Sequence, residues 1–129
     1  MRDQLDQVLA SYEAAWNEPA LSRRVELLNE SVTDDVVLYL GYKPPSPPCT
    51  GIDAVSHEMG EMISSRPSTE VRLSLRGGFD AHHGWVRFAW SVGGPDGEPL
   101  EVNGMRIEGI DIAHIAEDGR LDTIIVFIG

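Results

Sequence analysis

Four apolar runs of strand length fill the second half of the chain, at Thr69 to Leu75, Gly84 to Val92, Val102 to Ile115 and Leu121 to Ile128. The segments between them, Asp80-Ala-His-His-Gly84, Gly93-Gly-Pro-Asp-Gly97 and Glu117-Asp-Gly-Arg120, are short and made of turn-forming residues. A parallel crossover needs roughly a dozen residues or more, so these runs are expected to pair as antiparallel hairpins. The first half differs. Leu5, Val8, Leu9, Tyr12, Ala15 and Trp16 recur at helical spacing from Asp3 to Trp16; Asn17-Glu-Pro19 ends that helix, and Leu21, Val25 and Leu28 mark a shorter second one. Val32 to Leu40 reads as a strand, a proline-rich loop follows from Pro44, and Ile52, Val55, Met59, Met62 and Ile63 predict a third amphipathic helix that stops before Pro67. Helices first and a meander afterwards predict an α+β domain with three N-terminal helices packed on one face of a curved sheet.

The 129 residues have the size of a single domain, large enough for one core with an internal pocket. A content of 42% hydrophobic and 24% charged residues belongs to an ordinary globular protein, and no apolar run approaches a membrane span. The net charge of −11 argues against nucleic acid or an anionic membrane surface as partner. The polar start Met-Arg-Asp-Gln-Leu-Asp lacks a signal-peptide pattern and predicts a cytoplasmic protein. Cys49 is the only cysteine, which excludes an internal disulfide and a cysteine-based zinc site. His82 and His83 are adjacent in a predicted turn without carboxylate support, and His57 falls on the solvated side of its helix, so no metal is assigned.

Asp111 stands out because it interrupts the apolar run Ile107-Glu-Gly-Ile-Asp-Ile-Ala-His-Ile115. Strand alternation puts it on one face with Met105, Ile107, Gly109, Ala113 and Ile115. A carboxylate on such a face must be paired, hydrogen-bonded or kept protonated. One reading is a pocket acid, either a neutral carboxyl donating a hydrogen bond or a carboxylate acting as base; the other is a buried ion pair with Arg87 that orients the sheet. Tyr12 and Trp16, one helical turn apart, and Met59 and Ile63 can equally be core or pocket lining.

The order of elements, with Tyr12-Glu-Ala-Ala-Trp-Asn17, the Thr33-Asp-Asp35 entry to the first strand, Gly51-Ile-Asp-Ala-Val55, Gly109-Ile-Asp111, Asp118-Gly-Arg120 and Phe127, resembles the nuclear-transport-factor-2-like superfamily. The resemblance is greatest to its SnoaL-like polyketide cyclase and ketosteroid isomerase branches and spans nearly the whole chain, residues 1–129. It implies a cone-shaped α+β barrel: a strongly bent, mostly antiparallel sheet wrapped against helices around an apolar pocket, with dimerisation through the sheet's outer face. In ketosteroid isomerases a first-helix tyrosine and a protonated aspartate form an oxyanion hole; Tyr12 and Asp111 match them, while the position of the second, basic aspartate falls on Tyr39 or Leu40. Limonene-type epoxide hydrolases are similar around Tyr39; Arg87 matches their pocket arginine, but Ala89 and approximately Ile125 stand where their aspartates belong. A scytalone dehydratase-like histidine and aspartate pair is not matched, since His114 has opposite parity to Asp111.

Carried to the neighbouring strand, the hydrolase comparison puts Trp85, Arg87 and Ala89 inward and Phe88, Trp90 and Val92 outward. Together with Ile110 and Ile112 this makes the outer face apolar and implies a homodimer packed sheet to sheet. The expected site is therefore Asp111, Tyr12 and Arg87 as its polar, catalytic set, with Trp16, Tyr39, Met59, Ile63, Trp85, Met105, Ile107 and Phe127 lining the pocket for a small apolar, ring-containing or polyketide-like molecule. Two functions are open: a cyclase- or isomerase-like proton transfer through Asp111 that calls for no cofactor, and a non-catalytic ligand-binding or stress-related module.

Overall fold

The computed structural model describes residues 2–41 and 47–129; the proline-rich loop expected from Pro44 lies largely outside the described residues. Helix α1 (Arg2–Ala15) buries Leu5, Val8, Leu9, Tyr12 and Ala15 along one stripe, as their spacing requires. Helix α2 (Leu21–Ser31) follows a break in which Glu18 Oε2 accepts a hydrogen bond from the Ala20 amide at 2.9 Å. Strand β1 (Val32–Leu40) leads through the short β2 (Cys49–Thr50) into helix α3 (Ile52–Ser64). Gly51 opens that helix at φ 90° and ψ 160°, a conformation only glycine adopts at low cost, and its amide donates to the Val36 carbonyl at 2.7 Å. The remaining strands are β3 (Arg72–His82), β4 (Trp85–Gly93), β5 (Glu101–Val102), β6 (Met105–Arg106), β7 (Glu108–Ile115) and β8 (Leu121–Ile128).

Six strands form one sheet in the order β2-β1-β8-β7-β4-β3, and every neighbouring pair is antiparallel except β1 with β8. Register slips at three places: in β1 between Val32 and Val37, in β3 at Gly77 and Gly78, and in β8 opposite His114 and Ile115. Such bulges bend and twist a sheet, and here they help curve it around the helices. Three helices packed on a curved, mostly antiparallel sheet make this the expected α+β architecture. The core lies between the layers, where Val36, Leu38, Val86, Ala113 and Ile124 of the sheet and Leu28, Val55 and Met59 of the helices are fully buried. Each large aliphatic side chain so buried is worth about 1.5–3 kcal/mol relative to exposure.

Three expectations are corrected. Val102 to Ile115 is not one strand, because Asn103 (φ 53°) and Gly104 (φ 80°) make a tight turn between β5 and β6, which form a separate two-stranded sheet. Strand β3 runs past Leu75 to His82, so the wide turn expected at Asp80 to Gly84 is a two-residue turn at His83 (φ 54°) and Gly84 (φ 80°). The faces of β4 are also reversed: Val86, Phe88, Trp90 and Val92 are buried, while Trp85 and Arg87 point outward. Register explains this, since Phe88 lies directly opposite Asp111 and opposed residues share a face, so an inward Asp111 carries Phe88 inward with it. Among the described residues no helix is long and apolar enough to cross a membrane.

Candidate active site

The concave side of the sheet and α1 enclose a cavity of about 290 Å³. Its closure starts at β3, the free edge of the sheet. An exposed edge has unpaired backbone groups, and here α1 and the residue pair after it supply the partners. Asn17 Oδ1 accepts from the Leu73 amide and its Nδ2 donates to the Leu73 carbonyl, both at 2.8 Å, while Glu13 Oε2 accepts from the Leu75 amide at 2.7 Å. Arg66 locks the joint, donating to Asn17 Oδ1 at 2.9 Å and to the Trp16 carbonyl at 2.7 Å. Its pKa is lowered by burial and then by the charge of Arg72.

With the edge pinned, Tyr12 and Trp16 of α1, Leu73 and Leu75 of β3, Trp90 and Val92 of β4, and Val126 and Ile128 of β8 wall the cavity. Tyr12 packs edge-on against Trp16 and Phe88, with ring centroids 6.4 Å and 6.1 Å away. The β5–β6 hairpin covers one side with Val102 and Met105, both half exposed, and Ile107 follows it.

Among the described residues, Asp111 is the only acid in this lining, and the other titratable side chains there are Tyr12 and Arg66. Only 4% of its surface is exposed. Burial pushes its carboxyl pKa up to about 8, because an ionised group loses its hydration in an apolar cavity. The Trp90 indole acts in the opposite direction and favours the ionised form. No hydrogen bond of good geometry joins them, however: Asp111 Oδ1 and Trp90 Nε1 are both buried, and among the described residues neither has a partner. Near neutral pH the carboxyl is therefore mostly protonated, an acid that can donate a proton and, once ionised, a base that can take one.

Of the expected site residues, Asp111, Tyr12, Trp16, Met105 and Ile107 border the cavity. The others do not. Arg87 lies on the opposite face of the sheet and pairs with Asp80 at 2.9 Å, so the buried bridge with Asp111 is not formed. Trp85 is likewise outward, packed edge-on against His114 with ring centroids 4.9 Å apart, because the parity of β4 is the reverse of that implied by the hydrolase comparison. Tyr39 and Phe127 alternate outward from Leu38 and Val126 and are 45% and 52% exposed. Met59 is fully buried in the core and does not border the cavity, and Ile63 borders a polar groove between α2 and α3 with Arg24 and Asp53. Trp90 and Arg66 were missed. For Trp90 the signal was present, since Val86, Phe88, Trp90 and Val92 form the more apolar parity set of their strand. Among the described residues no three His, Cys, Asp or Glu side chains converge as a metal site would require.

No protein-family model matches the chain, and no curated protein matches it. Solved structures do. A putative isomerase of the SnoaL-like family from Agrobacterium tumefaciens superimposes with a TM-score of 0.77 at 24% identity, covering 98% of each chain. The epoxide hydrolase/cyclase-like enzyme SalBIII, which has a role in pyran ring formation in the polyether salinomycin, gives a TM-score of 0.66 at 18% identity over 99% of this chain and 92% of its own. A long-sheet NTF2 protein gives 0.64 at 7% identity over 95% of this chain and 98% of its own. Identity this low carries the architecture and leaves the chemistry to the residues themselves. The chain shares its fold with these SnoaL-like and NTF2 structures.

Proposed function

We propose that this chain is a single SnoaL-like domain that binds a small apolar, ring-containing or polyketide-like molecule and acts on it by proton transfer, in the manner of a cyclase or isomerase, with Asp111 as acid and base. The observation that carries the reading is the Asp111 carboxyl, buried in an otherwise apolar cavity with its pKa pushed up to about 8. A proton-transfer group works best when its pKa lies near the working pH, and burial achieves that for a carboxyl. The protonated form donates to an oxygen of the ligand, and the ionised form removes a carbon-bound proton beside a carbonyl. Tyr12 lines the same cavity and is placed to assist as the developing negative charge forms on that oxygen. The fold neighbours described as an isomerase and a cyclase-like enzyme agree with this chemistry.

The bicyclic ketone 2-decalone in D₂O tests it. Wild-type protein should exchange the protons α to the carbonyl faster than buffer, with a rate that rises with pH through about 8 as Asp111 ionises, and Asp111→Asn should lower the enzymatic rate by about 100-fold or more. Exchange at the buffer rate by wild-type protein would sink the reading. A second function, non-catalytic binding, is favoured by one observation: among the described residues Asp111 has no other acid, histidine or lysine beside it in the lining. Binding of 2-decalone without exchange would support that alternative.

The outer face of the sheet carries Tyr39, Trp85, Ile110 and Phe127, each at least 40% exposed. So large an apolar surface is the reason to propose a homodimer packed through this face. Sedimentation should give twice the monomer mass at micromolar protein; a monomer at that concentration would remove the dimer.

A further inference from the structure

Trp90 and Asp111 are placed for each other by three independent features. On the inner face, Trp90 lies opposite Gly109 and Phe88 opposite Asp111, so the indole sits diagonally from the carboxyl on adjacent strands. Gly109 makes room for it: a Cβ there would lie 2.8 Å from Trp90 Cζ2, on the nitrogen side of the ring. The six-membered ring thus rests over the bare backbone of β7 two residues before Asp111. Finally, Trp90 Nε1 and Asp111 Oδ1 are both buried, and among the described residues neither has a partner. A buried donor left without an acceptor is costly, and a native structure rarely keeps one without a use.

We propose that Trp90 is the positioning residue of Asp111: its indole N–H closes onto the carboxylate when Asp111 gives up its proton, and lets go when the proton returns. The N–H is then a latent partner of the ionised state alone. By stabilising the carboxylate it sets how strong a base Asp111 can be, and by bonding Oδ1 it leaves the second oxygen to face the ligand. Among the described residues, the titratable groups that share the cavity are Tyr12 from α1 and Arg66 from the segment between α3 and β3; His114 of β7 points to the outer face, where it is held by Asp122 at 2.9 Å. The inference deepens the proton-transfer reading and rests on it for its catalytic consequence, though not for the titration itself.

The indole N–H resonance of Trp90, assigned by its loss in Trp90→Phe, tests this in the free protein. It should move downfield as pH rises, with the same midpoint as the Asp111 carboxyl, and the movement should vanish in Asp111→Asn. In Trp90→Phe, which keeps an aromatic ring of similar shape, the Asp111 midpoint should rise by about one pH unit and the pH profile of 2-decalone exchange should move with it. A flat indole resonance through the Asp111 midpoint, or a midpoint unchanged in Trp90→Phe, overturns the proposal. Should Trp90→Phe fail to fold, the resonance is assigned by elimination from Trp16→Phe and Trp85→Phe, and its wild-type titration decides. The two readings fail differently: an indole that titrates in a protein showing no exchange refutes acid–base catalysis and keeps the pair, whereas exchange with a flat indole does the reverse.

Discussion

Asp80 and Asp122 lie at the outer face of the sheet, each 2.9 Å from a basic partner, Arg87 and His114, and both pairs are partly or largely exposed. Asp111, on the inner face of the same strands, is 4% exposed and has an oxygen with no partner among the described residues. Three carboxyls within a few residues of one another in the sheet thus live in different dielectrics. Each of the outer two has a counter-charge in a solvent-exposed pair, which is worth at most about 1 kcal/mol. The inner one takes up a proton instead. A strongly perturbed carboxyl inside a cavity is a common mark of a functional site, and neither outer pair has that setting.

The sharpest way to break this contrast is pH. The folded-state pKa of Asp111, about 8, lies above its ordinary value of 3.8. Between those values the folded chain holds a proton that the unfolded chain has lost, so the Asp111 contribution makes stability fall as pH rises, by about 1.4 kcal/mol per unit, and level off above about 8. Urea unfolding from pH 5 to 9 should show this slope in wild-type protein and lose it in Asp111→Asn, which is the more stable of the two at pH 8. Equal slopes in the two proteins would put Asp111 in the same class as Asp80.

Gly109 sharpens the comparison from the side of packing. A Cβ at this position would overlap the Phe127 carbonyl and press on Trp90, and backbone cannot move aside as a flexible side chain can. Gly109→Ala should cost about 3 kcal/mol in chemical denaturation; a cost below about 1 kcal/mol would show that β7 and Trp90 are not packed as described. The smallest effects belong outside. Asp80→Asn and Asp122→Asn should each change stability by less than about 1 kcal/mol at pH 7. A loss as large as that from Gly109→Ala would mean that these two ion pairs contribute more than exposed pairs do.

Much of this was legible in the residues. Helical spacing located α1, α2 and α3, and β1 and β8 run between the residues expected, because each is bounded by its own turn or cap. The inward aim of Asp111 followed from alternation alone. The face of β4 was equally legible, with Val86, Phe88, Trp90 and Val92 on one parity and Arg87 and Ser91 on the other; analogy with the hydrolases overrode that local pattern and sent Arg87 to the wrong side. Asn103-Gly104 likewise announced a hairpin that the apolar character of its flanks concealed. The cavity itself was not legible. It exists because Asn17 and Glu13 pair with the edge of β3 and because Arg66 reaches Asn17 across 49 positions of sequence. No periodicity encodes a contact of that range. Trp90 became a site residue only when register set it diagonally across from Asp111.

The central claim is that the protein keeps one neutral carboxyl inside an apolar cavity at neutral pH. Titration of the ¹³C-labelled aspartate carboxyls by NMR, with Asp111 assigned from Asp111→Asn, tests it most directly. A midpoint for Asp111 near pH 8 is the result predicted. A midpoint near 4, in the ordinary carboxyl range, would contradict it.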